Sequence, residues 1–204
     1  MNLLHDITMV DIVSRIAAML IFVMVHGGVL ALLARLLGSF APERAQRLTL
    51  NPFAHLSLWG LAMAVLFRTG WIRPLHIDPA ELRGGRASLA LIALAAILVS
   101  LALVPLLDLV RPLVAAGLPR TAGYAVLMVI ITLQEVSLLS ALLAALPFPG
   151  LTGGLLLVAL FPGKAKLFKK LENPVLAALV ICLIAGLITP ERLLPVLWPI
   201  FSGL

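Results

Sequence analysis

Residues 16–34 carry one polar side chain, His26, in 19 positions, with Arg15 and Arg35 at the two ends. As an α-helix this run is about 28 Å long, close to the hydrocarbon thickness of a bilayer. In lipid no water meets the backbone, so a spanning segment is a helix or part of a closed barrel. The run has none of the alternation a barrel strand needs. Residues 89–107 and 122–146 repeat the pattern, and residues 175–189 follow Pro174 as a further apolar run. The whole chain is 62% hydrophobic and 12% charged, whereas soluble domains run near 45–50% apolar with about a quarter charged. The expected fold class is an all-α polytopic membrane protein, one membrane domain over residues 1–204.

The formal net charge of +6 would suggest nucleic acid in a soluble protein. Here Lys and Arg read as markers of cytoplasmic loops, and no nucleic-acid partner is expected. The single cysteine, Cys182, lies in an apolar run, which excludes a disulfide framework or a cysteine metal site. The N-terminus is not basic and no small-residue cleavage pattern follows its apolar run, so the first span reads as retained.

Between the spans the chain changes character. Residues 35–52 are basic and end on the turn signal Asn51-Pro52. Residues 53–67 are apolar but short for a crossing, and contain His55, Ser57 and Gly60. Residues 68–86 hold Gly70, Trp71, Pro74, His76 and Pro79, which predicts irregular backbone at the interface; Trp71 and Trp198 read as interfacial anchors. Asp108, Arg111 and Pro112 are expected to end the second span, and Pro147 the third. Residues 155–161 are too short to cross. Lys164, Lys166, Lys169 and Lys170 follow; they mark the cytoplasmic face or contact anionic headgroups. Pro174 is expected to open the last span, and the tail from Pro190 to lie at an interface.

If residues 53–67 form a hairpin, eleven cationic residues share one compartment and Arg15, Arg111, Arg120 and Arg192 remain on the other. A full crossing would divide them nearly evenly. The positive-inside rule therefore favours four spans, a re-entrant segment near 48–75 and an N-terminus outside the cytoplasm. A fifth or sixth crossing stays open.

Several segments occur in a specific order: RLTLNPFAH over 47–55, GWIRPLHIDP over 70–79, Leu82-Arg83, LIALA over 91–95 and LPFPGLTG over 146–153, all after the histidine-bearing first span. Together they resemble the short bacterial site-2 proteases, a family of intramembrane zinc metalloproteases, across roughly residues 20–160. The resemblance implies a helical bundle with core about 16–160, a C-terminal span and tail over 174–204, and a multi-pass place in the bacterial inner membrane with a periplasmic N-terminus. It implies that Asn51, Pro52, His55, Gly70, Trp71, Pro74 and Pro79 build the re-entrant loop.

In that family a helix carries H-E-x-x-H. Two histidines one turn apart bind zinc, the glutamate activates its water, and a distant aspartate is the third ligand. Carried over, the first histidine is His26, the glutamate falls on Gly27, the second histidine on Leu30 and the aspartate on Thr152. Further family positions fall on Ala96, Ile97, Ser100, Ser57 and Leu58. One retained ligand does not make a three-ligand zinc site.

The resemblance thus implies a pseudoprotease, with no cofactor expected, that binds a transmembrane segment of a membrane-protein partner as an assembly or regulatory subunit. Two alternatives stay open. One is a zinc protease with relocated ligands, for example His26, His55 and Glu135. The other is proton or ion handling by His26 and Glu135. Glu135 is the second intramembrane ionisable group; its candidate partners are His26, then Gln134 or Ser137.

Overall fold

The computed structural model describes residues 8–187. Three of its helices are long and apolar enough to cross a membrane: α1 (Met9–Leu36), α5 (Gly85–Gly117) and α6 (Arg120–Ala145). Shorter helices α2 (Ala41–Arg44), α3 (Pro52–His55) and α4 (Leu58–Phe67) lie between α1 and α5, and α7 (Gly154–Leu160) and α8 (Ala165–Ile184) follow α6. Among the described residues the only β pairing is one antiparallel bridge, Leu56 to Ile72.

α1 begins with a reciprocal cap. Thr8 Oγ1 accepts from Asp11 N–H, and the Asp11 carboxylate accepts from Thr8 N–H. At its far end Leu37 C=O accepts from Arg83 N–H at 2.9 Å, which brings the start of α5 beside the end of α1. A short turn at Leu118 and Pro119 then joins α5 to α6. The three long helices therefore run up, down and up. Ala18, Phe22, Leu30, Ile92, Ala96, Leu133 and Val136 meet in their common core.

α5 does not stop at Asp108. It runs on to Gly117 through Pro105 and Pro112, 33 residues or about 50 Å. Asp108 and Arg111 pair along the helix, Oδ1 to Nε at 3.2 Å, and both also bond Gln134 of α6. With Asp108 Oδ1 and an Arg111 terminal nitrogen engaged laterally by Gln134, the pair need not end the helix.

Residues 52–73 form a hairpin. α3 and α4 run away from the Arg47 end, and the chain returns extended so that Ile72 pairs with Leu56 and Arg73 N–H donates to His55 C=O at 2.8 Å. α4 has ten residues, about 15 Å, too short to cross. The two hairpin arms touch where side chains are absent. A Cβ on Gly60 would stand 2.2 Å from Trp71 C=O, and one on Gly70 would stand 2.3 Å from Gly60 C=O. Trp71 is consequently drawn inside, 2% exposed, among Met63, Phe67, Leu143, Leu179 and Leu183, and is no interfacial anchor.

Two expectations about charge and the last span change. Arg68 sits at the hairpin tip, bonded to Glu135 in mid-α6, and not with the other loop arginines. Among the described residues ten Lys and Arg then gather at the end where α1 finishes and α5 begins, against Arg15, Arg68, Arg111 and Arg120 at the other. Pro174 lies inside α8 and does not open it; the helix already begins at Ala165. α8 is not among the helices that meet spanning length and apolarity. Thr189, Arg192, Trp198 and the proline-bearing tail lie outside the described residues.

Gly60→Ala is expected to destabilise the fold by about 1–3 kcal/mol, because the added methyl meets backbone and not a movable side chain. Gly117→Ala, with nothing within 4 Å, should leave stability unchanged or slightly raised. Thermal unfolding in detergent micelles compares the two, and equal behaviour would show that the arms do not pack at Gly60.

Candidate functional site

His26 lies on α1 about 15 Å before the end of that helix, where α1 crosses α5. It is fully buried and stacks on Phe22 one turn earlier, ring centroids 5.2 Å apart. Both ring nitrogens are engaged. Nδ1 is 2.8 Å from Ser100 Oγ, and Nε2 is 2.7 Å from Thr152 Oγ1. Ser100 gives its own hydroxyl proton to Ala96 C=O at 2.9 Å, so it accepts from His26 Nδ1–H. The remaining lone pair, on Nε2, then accepts the Thr152 hydroxyl proton.

Thr152 reaches this point through the turn that follows α6. Gly153 N–H donates to Ala144 C=O at 2.7 Å, and Gly150 has φ +90, which favours glycine. The turn therefore doubles back beneath the end of α6 and places the Thr152 hydroxyl against the histidine.

Gly27, next to His26, has no room for a side chain. A Cβ there would stand 2.5 Å from His55 Nδ1 and 2.6 Å from His55 Cγ. Gly27 thus receives the loop histidine. The Asn51-Pro52 signal explains how His55 arrives. Asn51 Oδ1 accepts from Phe53 N–H at 3.0 Å and Pro52 takes the first helical position, so one turn of helix delivers His55 inward. His55 Nε2 donates to Thr49 C=O at 3.0 Å; Nδ1 has no hydrogen-bond partner. Burial holds the His55 pKa below the ordinary imidazole value, against the Thr49 hydrogen bond.

Arg47 fixes the returning arm. Its terminal nitrogens donate to Arg73 C=O at 2.7 Å and Pro74 C=O at 3.0 Å. Burial, with Arg73 nearby, pushes its pKa down to about 10, so it stays a cation at neutral pH. Beyond Pro74 the chain stays extended to Asp78, where Pro79 enters a short 3₁₀ turn. Leu75 and Ile77 point inward while His76 and Asp78 are exposed, a period of two. Within the described residues the N–H groups of Leu75, His76, Ile77 and Asp78 find no backbone partner. This strand-like segment walls a cavity of about 1010 Å³, shared with Leu30, Leu151, Thr152, Leu155 and the first turns of α8.

Glu135 belongs to a different network. It pairs with Arg68 at 2.9 Å, and not with His26. Gln134 on the same helix donates to Val104 C=O at 2.8 Å and Asp108 Oδ1 at 2.9 Å, and accepts from Arg111. Ser137 is buried with its Oγ unpartnered. Gly70 N–H donates to Ser140 Oγ at 3.0 Å, which ties the hairpin to α6 below His26. The set His26, His55 and Glu135 is not gathered: among the described residues no three His, Cys, Asp or Glu side chains could share a metal ion.

Arg47, Arg68 and Ser140 are site-building residues that sequence reasoning missed. Arg47 opens the quoted loop motif, yet nothing in a sequence says that an arginine will bond two carbonyls. Arg68 ends an apolar run, which reads equally as a solvated loop cation.

No family model matches the chain, and neither a curated protein nor a solved structure matches it. The site-2 protease resemblance therefore rests on the motifs themselves. Zinc would need the Nε2 lone pair and two more protein ligands. Thr152 engages that lone pair, Leu30 is apolar, and His55 fills the space beside Gly27. Among the described residues, those around His26 do not fit a catalytic zinc site.

Thr152→Val strips one partner from a buried nitrogen and is expected to destabilise by about 1–3 kcal/mol. His26→Leu combined with Thr152→Val should cost less than the sum of the two single changes, because the double change leaves neither end of the Nε2–Thr152 contact unpaired. Unfolding free energies in mixed micelles test this, and strict additivity would mean that the 2.7 Å contact contributes nothing.

Proposed function

We propose that this chain is a catalytically inactive, site-2-protease-like protein of the bacterial inner membrane that holds a segment of a membrane-protein partner as an assembly or regulatory subunit. The observation that carries the reading is the environment of His26. Its ring nitrogens are occupied by Ser100 and Thr152, and the space beside Gly27 belongs to His55. The Thr152 hydroxyl stands at the family's aspartate position and the Ser100 hydroxyl at a family position of the second span, and together they engage both nitrogens of the histidine.

Partner binding is supported by what lies above that site. Residues 75–78 offer unpaired backbone donors beside the cavity, with buried Leu75 and Ile77 alternating against exposed His76 and Asp78. An extended peptide adding to such an edge gains main-chain hydrogen bonds and places alternate side chains in the cavity. The excess of cations at the same end supports a cytoplasmic position for the cavity mouth, and with it a periplasmic N-terminus.

The purified full chain is expected to hold substoichiometric zinc that His26→Ala does not alter, and its membranes should show no chelator-sensitive cleavage. A photo-reactive residue at His76 is expected to cross-link a membrane protein whose captured segment is uncut. Ile77→Pro should reduce that yield about fivefold, the worth of one hydrogen bond near 1 kcal/mol. Stoichiometric zinc lost in His26→Ala would overturn the inactive reading; cross-linking that is indifferent to Ile77→Pro would overturn the docking mode.

A further inference from the structure

The elbow between α7 and α8 carries a surface that extends beyond the cavity rim. Leu160, Phe161, Leu167 and Leu171 are exposed there, Leu160 at 68% and Phe161 at 52%. Lys164, Lys166, Lys169 and Lys170 are interleaved with them and also exposed. Among the described residues none of the four lysines joins an ion pair or side-chain hydrogen bond; Lys164 lies over the Phe161 ring at 5.8 Å. The nearest carboxylate on the helix, Glu172, is taken by His76 at 2.8 Å.

α8 is anchored at its far end. Leu179 and Leu183 pack with Met63, Phe67 and Trp71 of the hairpin. About two and a half to three and a half turns before Leu179 the helix carries Lys170, Lys169 and Lys166, and Lys164 immediately precedes it. At 3.6 residues per turn, Leu167 and Leu171 share one face, while Lys166, Lys169 and Lys170 cluster on a flank. The apolar face and the cationic flank are the pattern of a helix lying at a membrane surface.

We propose that the α7–α8 elbow is a binding surface for anionic phospholipid, with phosphate headgroups on Lys164, Lys166, Lys169 and Lys170 and acyl chains on Leu160, Phe161, Leu167 and Leu171. A bilayer surface supplies both halves of that chemistry at once, which neither a soluble phosphate nor an acidic peptide does. Lys166 and Lys169 also line the cavity, whereas Lys164 and Lys170 do not, so the surface begins at the cavity rim and extends beyond it. Contact with anionic lipid would hold the cavity mouth at the level of the headgroups.

The test uses the full chain with Cys182→Ser and an environment-sensitive fluorophore on Leu167→Cys. Phosphatidylglycerol titrated into mixed micelles should shift the emission to the blue, phosphatidylcholine should not, and added salt should reverse the shift. Each Lys→Gln change is expected to raise the midpoint about fivefold, and the quadruple change to abolish the response. Should the quadruple variant fail to fold, Lys170→Glu in the folded protein decides by the same midpoint. An equal shift with phosphatidylcholine would reduce the surface to apolar contact and overturn the proposal. So would an equal shift with inorganic phosphate or polyglutamate, because the lysines would then read any polyanion. A fluorophore on Leu109→Cys of α5 should respond to none of these additions.

Discussion

A polar side chain held among membrane helices has no water to fall back on, and the fold depends on how each one is answered. His26 is answered from two directions, by Ser100 on α5 and by Thr152 on the turn after α6. Each of those groups is itself fixed by backbone: Ser100 through Ala96 C=O, Thr152 through the Gly153 to Ala144 bond. One imidazole thereby links α1, α5 and the Pro147 turn at a single point. An unpaired nitrogen at that depth would carry a desolvation penalty of about 1–3 kcal/mol, which the two hydroxyls remove.

The second requirement is met on α6. Gln134 and Glu135 are neighbours in sequence and so face different elements, Gln134 toward α5 and Glu135 toward the hairpin tip. The hairpin is then secured at both ends. Arg68 bonds Glu135 at the tip, and Arg47 holds the Arg73 and Pro74 carbonyls at the mouth. Between these points the arms approach through Gly60 and Gly70 with no side chain between them. A short apolar hairpin with polar contacts at each end has one preferred depth, because sliding it would break both sets together.

The long apolar runs, the hairpin and the break at Pro147 were legible in sequence because each follows from local chemistry: length, absence of charge, proline. Local signals failed where a distant partner decides. Asp108 and Arg111 look like a helix end until Gln134 is placed beside them. Trp71 looks interfacial until Gly60 admits its backbone. Pro174 looks like a helix start, although the lysine-bearing stretch before it is already helical. At the site, His26, Gly27, Leu30 and Thr152 were identified as positions, and Ser100 with them. Pairing Glu135 with His26 was not right, because hydropathy reports that two polar groups are buried but not which helix faces they occupy.

That failure also bears on how the site is understood. Had Glu135 met His26, the bundle would contain a proton-exchanging pair deep between its helices. Instead the carboxylate is matched by a guanidinium at the hairpin tip, and the histidine is matched by two hydroxyls. Neither hydroxyl titrates near neutral pH, so the His26 network has no acidic or basic partner with which to exchange a proton. Its direction is also fixed, from Thr152 through the ring to Ser100 and on to the Ala96 carbonyl, where it ends on the backbone. A chain that terminates on a helical carbonyl orients the ring and holds it in place. The chemistry left exposed lies one layer out, along residues 75–78 and the cavity they wall, where backbone donors and alternating side chains are suited to recognition.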